Sequence, residues 1–324
     1  MNFIEKIRIE AKKKMKTICL PESYDERILK AARKLVNLEL VEKVILIGED
    51  KLKKEFSSKK ISVINYKNHN KFETYTKKFY EKRKHKGISL EEAEEILKNN
   101  LYYASMMLSE GDTDAVVAGA ANSTGNVLRA AIKGVGLKKG VKTVSSLFIM
   151  VTDKKEFGVD GVLGFGDCAV VPSPDSEQLA DIAESSADTF KNLVGVSPKI
   201  ALLSFSTNGS AKHERVNKIL RTKKILEDRN VGFDFDGELQ ADAALVSSIA
   251  ERKAPDSKIA GRANCLIFPS LEAGNIGYKL VQRFAEAEAV GPVIQGLAKP
   301  YNDLSRGCSV EDIVNTSCLA ILNS

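Results

Sequence analysis

Short apolar runs alternate with stretches of helical periodicity through the first part of the chain. Thr17-Ile18-Cys19-Leu20, Val44-Ile45-Leu46-Ile47 and Ile61-Ser62-Val63-Ile64 predict short buried strands, the first ended by Pro21 and the second by Gly48. Residues 2–14, 25–38, 72–82 and 90–109 place apolar side chains at helical spacing; Ser89 and Glu91-Glu92 mark the start of the last of these helices. Asp114-Ala115-Val116-Val117-Ala118-Gly119 predicts a further strand. It leads through the small-residue loop Ala120 to Gly125 into a helix carrying Arg129. Strands and helices alternating at this spacing predict βαβ units around a parallel sheet.

Near Thr143 the pattern changes. Longer, consecutive strands are expected over 143–150 and from Phe157-Gly158-Val159 to Val170-Val171, with Gly161, Gly164 and Gly166 between them. Pro172-Ser173-Pro174-Asp175 then caps a long helix to about Leu193. Lys199 to Ser206 is a strand, 212–229 a helix, Cys265 to Pro269 a strand, and Ala273 to Tyr278 opens a helix holding Arg283. The change of texture puts a domain boundary near 143–146.

Composition narrows the function classes. The 324 residues are 43% hydrophobic and 28% charged, an ordinary globular balance with room for two domains. Forty-nine basic against 43 acidic residues leave a formal charge of +6. The runs Lys12-Lys13-Lys14 and Lys82-Arg83-Lys84 lack interleaved aromatics, so they read as solvated faces and no nucleic-acid partner is expected. A mildly positive field favours an anionic, phosphate-rich substrate. Five cysteines without C-x-x-C spacing argue against a disulfide framework or a structural zinc site and fit a reducing compartment. With no signal-peptide pattern and no apolar run of spanning length, a cytoplasmic protein without a membrane partner is expected.

The densest chemistry lies in Tyr301-Asn302-Asp303-Leu304-Ser305-Arg306-Gly307-Cys308-Ser309-Val310-Glu311-Asp312. A turn carrying Arg306 runs into a predicted helix N-capped by Ser309. Backbone N–H groups, the helix dipole and a fixed cation therefore converge on an anion seat. Asp312 lies in the first turn of that helix, where Ser309-x-x-Asp312 also has the form of a capping box. Cys308, between an arginine and a helix start, is expected to have a lowered thiol pKa. Asp236, Glu238 and Asp242 read as capping or hydrogen-bonding groups. Neither a G-x-G-x-x-G nor a G-x-x-x-x-G-K-[ST] motif occurs.

Several stretches together resemble the phosphate acetyltransferase and phosphate butyryltransferase family. They include Gly166-Asp167-Cys168-Ala169-Val170, Ser186-Ala187-Asp188-Thr189, Leu202 to Thr207, Asp236 to Ala244 and Ala263 to Pro269. Gly274-Asn275-Ile276-Gly277-Tyr278-Lys279-Leu280-Val281-Gln282-Arg283, Gly291 to Leu297 and Asn302-Asp303-Leu304-Ser305-Arg306-Gly307 complete the match. It spans essentially the whole chain and is densest after residue 111. Asn122, where the family usually has histidine, and Ala130, where proline is common, depart from the pattern and bear on acyl preference.

The resemblance implies an α/β fold: two α/β domains with mainly parallel sheets and a cleft between them, as in the isocitrate and isopropylmalate dehydrogenases. It returns residues 296–324 to the first domain (1–143), so that 144–295 is inserted. It implies a homodimer, and an enzyme that moves an acetyl group between coenzyme A and phosphate. Asp312 is carried over as base for the CoA thiol. Arg306 and Ser305 are expected to hold the phosphate and the developing oxyanion. Arg83, Arg129 and Arg283 match arginines assigned to coenzyme binding or the active site, while Ser123, Thr124, Ser206 and Thr207 are candidate donors to phosphate. Coenzyme A enters as a substrate, and no metal or redox cofactor is expected. A phosphate butyryltransferase is the nearest alternative. An isocitrate- or malate-type dehydrogenase and a catalytically silent CoA-binding module are alternatives of other classes.

Overall fold

Asn2 and Glu5 close a capping box at the start of α1 (Phe3–Lys14), whose buried residues Phe3, Ile7 and Ala11 recur at helical spacing. The computed structural model describes residues 2–56 and 58–324. They form two units, the first made of residues up to Lys139 together with Leu297–Ser324, the second of Gly140–Gly296. The first unit continues with β1 (Thr17–Leu20), α2 (Glu26–Asn37), β2 (Lys43–Ile47), β3 (Ile61–Ile64) and α3 (Phe72–Arg83). After these come α4 (Leu90–Leu97), α5 (Asn100–Glu110), β4 (Ala115–Ala118) and α6 (Thr124–Gly134). The single helix expected over 90–109 is thus two. Asn99 interrupts it, because its side-chain oxygen accepts the Leu101 N–H at 2.9 Å and caps a new helix.

The second unit contains β5 (Ser145–Val151), β6 (Val162–Gly166), α7 (Ser176–Val194), β7 (Lys199–Leu203), α8 (Glu214–Asp228) and β8 (Asp234–Leu239). It ends with α9 (Ala241–Leu245), α10 (Ser247–Lys253), β9 (Cys265–Ile267), α11 (Leu271–Phe284) and β10 (Glu288–Gln295). The chain then returns to the first unit as β11 (Tyr301–Asp303) and α12 (Val310–Leu322). Tyr301 is fully buried in β11, and the turn carrying Arg306 follows that strand and runs into α12 as expected.

Two expected strands are absent. Asp160 and its flanking glycines 158 and 161 have positive φ, so 157–161 is a turn in which only Val159 bridges to Val162. Residues 167–171 wrap around the buried Asp167 carboxylate instead of extending. It accepts the N–H groups of Ala169, Val170 and Val171 at 3.0, 3.2 and 2.7 Å, and that of Ser146 at 3.1 Å.

The sheet of the first unit is all parallel, in the order β11-β4-β1-β2-β3. That of the second is mixed, in the order β10-β5-β6-β9-β7-β8, with β5 antiparallel to both neighbours and the other pairings parallel. Each sheet has a point where the chain leaves two adjacent strands in opposite directions. In the first unit β1 leads to β2, whereas the next strand of the sheet after β4 is β11, on the other side. In the second, β7 leads to β8 and β9 to β10 at the far edge. Loops at the carboxyl ends of such strand pairs splay apart and leave room for a ligand. Among the described residues no helix is long and apolar enough to cross a membrane.

Candidate active site

In the first unit the crevice between β1 and β4 is filled from within by a carboxylate. Glu22, fully buried, accepts the backbone N–H groups of Gly119 and Ala120 at 2.7 and 2.9 Å on one oxygen. Its other oxygen accepts the Ala121 N–H at 3.1 Å and the Asn122 amide at 2.7 Å. Successive N–H groups of this kind form a nest suited to an anion, and here the protein supplies its own. Asn122 also donates to the Tyr24 hydroxyl at 2.9 Å, so the family-atypical side chain is held by two partners.

Arg27, on α2, ties this loop to the turn that carries Arg306. Its guanidinium donates to the Ala120 carbonyl at 2.7 Å, to the carbonyls of Arg306 and Cys308 at 2.8 and 2.9 Å, and to Asp25. Within the turn the Cys308 N–H reaches the Ser305 carbonyl at 2.9 Å and the Gly307 N–H reaches the Ser305 hydroxyl at 3.3 Å. Ser305, Arg306 and Gly307 are exposed. Among the described residues the Arg306 guanidinium has no ion-pair partner, and neither do those of Arg83, Arg129 and Arg283. An unneutralised arginine at a helix entrance is matched to a phosphate.

The capping box at α12 is formed. Asp312 accepts from the Ser309 N–H and hydroxyl at 2.8 and 2.9 Å, while the Asp312 N–H donates to the Ser309 hydroxyl at 3.1 Å. Both hydrogen bonds fall on the same carboxylate oxygen, Oδ2, and Asp312 is exposed. Its neighbour Glu311 faces the other way and pairs with Arg8 at 2.7 Å and with Lys34, tying α12 to α1 and α2. Capping therefore uses one oxygen of Asp312, and among the described residues Oδ1 has no hydrogen-bond partner.

Ser123 is the N-cap of α6, accepting the Asn126 N–H at 3.3 Å. Thr124 is bonded to Asp303 at 2.5 Å. Arg129 on α6 and Arg83 at the end of α3 share a neighbour. Burial raises the Tyr102 phenol pKa, and both guanidiniums pull it back. The structure therefore brings together, within the first unit, Ser305, Arg306 and Asp312 on one turn and helix, and Arg83 and Arg129 around Tyr102.

In the second unit Ser206 and Thr207 are buried, and their hydroxyls are engaged internally. Ser206 donates to the buried Glu238 at 2.8 Å and accepts the Ala211 N–H at 3.1 Å; the Thr207 oxygen accepts the Gln240 N–H at 2.9 Å. Arg283 lies exposed in the last turn of α11. At this unit's own crevice, between β7 and β9, a cavity of 560 Å³ is lined by Ser204, Phe205, Arg215, Lys218, Pro269 and Ser270 among others. Asp236 pairs with Lys223 at 2.6 Å and Asp242 with Lys253 at 2.8 Å, the structural roles expected of these acids.

Cys308 corrects an expectation. The thiol is buried, and burial pushes its pKa up to about 11; Arg27 pulls it down by less, and Asp312 adds to the rise. Helix start and arginine are both present, but desolvation outweighs them. Cys308→Ala is accordingly expected to keep at least about a tenth of wild-type kcat, and iodoacetamide at neutral pH to modify the wild-type thiol slowly. An acetyl group trapped on Cys308, with parallel-line kinetics, would contradict this.

Sequence reading missed Glu22, Arg27 and the Thr124–Asp303 pair. The only signal available was their position just after strands, in Pro21-Glu22-Ser23-Tyr24-Asp25-Glu26-Arg27 and at the end of Tyr301-Asn302-Asp303.

Two doubly connected α/β units with an unneutralised arginine at a helix entrance define a protein built to hold an anionic substrate. Residues 2–321 match the model of the family described as phosphate acetyl/butaryl transferase, and the chain belongs to that family. It is 49% identical over 318 residues to a phosphate acetyltransferase of Thermoanaerobacterium thermosaccharolyticum, covering 97% of each chain. It is 46% identical to one of Clostridium acetobutylicum, covering 100% of this chain and 99% of that one. A solved phosphotransacetylase of Streptococcus pyogenes superposes with a TM-score of 0.90 at 36% identity, covering 98% of both chains.

Proposed function

We propose that the chain catalyses reversible transfer of an acetyl group between coenzyme A and phosphate, by direct attack within a ternary complex. The observation that carries this reading is the turn Ser305–Cys308 running into α12. It presents an unpaired Arg306 and an exposed Asp312 at the matched positions of a family whose relatives bear the name phosphate acetyltransferase. Written from acetyl phosphate, the CoA thiol gives its proton to Asp312, and its sulfur bonds to the carbonyl carbon. The carbon–oxygen bond to phosphate then breaks and phosphate leaves. An unperturbed thiol, with a pKa near ~8.5, is mostly protonated at neutral pH, so a carboxylate base assists. Arg306 holds the phosphoryl oxygens and stabilises the tetrahedral oxyanion, with the Ser305 hydroxyl beside it. No metal or redox cofactor enters these steps.

Arg129 and Arg83 supply the cations for the phosphates of coenzyme A; their shared position around Tyr102 supports a common anionic ligand. Arg129→Gln is expected to raise KM for CoA by about 1.5–3 kcal/mol in binding terms, roughly ten- to a hundredfold, and to change KM for acetyl phosphate less. Equal losses for both substrates would move Arg129 to the reaction centre. Arg283 stays a coenzyme contact on the strength of its match. A homodimer and a cytoplasmic location belong to the same proposal. The dimer is supported by an apolar stripe on α11, where Ile276, Leu280 and Phe284 are 57, 50 and 86% exposed.

The test is CoA release from acetyl-, propionyl- and butyryl-CoA with phosphate as co-substrate, acetyl-CoA being fastest. A preference for butyryl-CoA would favour the butyryltransferase alternative, and reduction of NAD by a hydroxy acid would favour the dehydrogenase one. Failure to release CoA from any of them would leave only a binding module.

A further inference from the structure

Asp303 ends β11 two residues before Ser305 and is 2% exposed. One of its oxygens meets the Thr124 hydroxyl at 2.5 Å, at the first residue of α6. The other lies beneath Gly119, where a Cβ would come within 2.3 Å of it, and has no hydrogen-bond partner. The Leu304 N–H is near enough to lower the carboxyl pKa, but it does not reach this oxygen in regular hydrogen-bond geometry. No ion pair reaches Asp303 among the described residues. We propose that Asp303 is a positioning residue of the anion seat, its proton deciding whether the Thr124 hydroxyl is offered to substrate as a hydrogen-bond donor or only as an acceptor. This rests on the reading above, in which an acyl phosphate occupies the seat.

Asp303 has too few donors around it for an ionised carboxylate. A carboxylate has about four acceptor sites, and burying it with one hydroxyl hydrogen and one poorly aligned N–H is costly. In the protonated acid the one hydrogen goes to the Thr124 oxygen, its near neighbour. Thr124 then turns its own hydrogen away from Asp303, toward the positive end of α6, where an anionic oxygen is favoured. When Asp303 is ionised, Thr124 must donate inward and presents lone pairs alone, which repel an anion.

The surroundings keep a large share of Asp303 protonated up to neutrality. Burial pushes the Asp303 pKa up to about 7; Thr124 and the Leu304 N–H lower it by less, and the Glu22 carboxylate, from the segment after β1, raises it further. Tyr301 on the same strand is itself buried and stays neutral. Arg27 is spent on Asp25, Ala120 and the carbonyls of Arg306 and Cys308. Because the folded pKa lies above the ordinary ~3.9 of an unfolded aspartate, any stability Asp303 confers is complete below that value. It is lost as the pH rises through about 7.

The test compares wild type with Asp303→Asn in the direction from acetyl phosphate and CoA, since acetyl phosphate keeps its charge across this window. The asparagine amide is neutral at every pH and can donate to Thr124 as the acid does. The ratio of wild-type to variant kcat/KM for acetyl phosphate should fall about tenfold between about pH 6 and about pH 8, the scale of one charge-assisted hydrogen bond. The change should lie in KM for acetyl phosphate and leave KM for CoA alone. Thr124→Val should abolish the pH dependence of that ratio. A ratio independent of pH would overturn the proposal. If Asp303→Asn does not fold, infrared difference spectra of the wild type decide the matter. A protonated-carboxyl band that disappears between about pH 6 and about pH 8 and shifts in Thr124→Val supports the proposal, and its absence refutes it. If the wild type transfers no acetyl group at all, the functional reading fails, and the infrared titration still decides the state of Asp303.

Discussion

Asp312→Asn is expected to lower kcat by about 10²–10⁴ while leaving KM for CoA within a few-fold of wild type. The substitution is chosen because Asp312 caps α12 and is the proposed base, and asparagine can do only the first. Its side-chain oxygen can still accept the Ser309 N–H, so the capping box and the start of α12 survive. What disappears is a group able to take the thiol proton. A second signature follows from the same chemistry. Raising the pH deprotonates the CoA thiol in solution, so the variant should recover part of its loss in alkaline buffer. Activity near wild type at pH 7 would reduce Asp312 to a helix cap.

Glu22→Gln is expected to cost about 3 kcal/mol or more of stability, although Glu22 touches no substrate in the proposed chemistry. Each hydrogen bond to a charged group contributes about 1.5–3 kcal/mol, and a buried donor left unmatched costs about 1–3. The glutamine NH₂ would face either Gly119 and Ala120 or Ala121 and Asn122, donors in both cases. Urea unfolding measures the loss. A difference below about 1 kcal/mol would mean that the loop after β4 rearranges without strain. The loop it holds leads directly into Ser123 and α6, so KM for CoA should rise in the same variant.

Elements were legible where a local signal sets their limits. Thr17–Leu20 and Ile61–Ile64 are strands with the expected ends, because an apolar run stops at proline in one case and at polar residues in the other. Asp175 and Ser309 cap the helices expected of them. Reading failed where a side chain competes with the regular backbone pattern. Asn99 breaks a helix whose apolar spacing continues through it, and the Asp167 carboxylate gathers N–H groups that a strand would have paired.

The site divides in the same way. Ser305, Arg306 and Asp312 lie within eight residues, so their placement on one turn and helix is visible in the sequence. Glu22 meets Asn122 across 100 positions, and Arg27 meets the Arg306 carbonyl across 279. Partners so distant leave no periodicity or spacing to read. Nor does spacing give desolvation, which is why Cys308 looked acidic in sequence and is the reverse in the fold.

The path of the chain also orders its own assembly. Residues 140–296 are contiguous and complete a unit by themselves, whereas the first unit waits for Leu297–Ser324 to supply β11 and α12. Until that segment leaves the ribosome, β4 has a bare edge, and α1 and α2 lack the helix that Arg8 and Lys34 clasp through Glu311. Ser305, Arg306 and Asp312 all lie in this late segment. In the proposed chemistry a nascent chain therefore lacks its base and its phosphate ligand until α12 docks, so closing the hydrophobic face of the first unit and completing the site are one step.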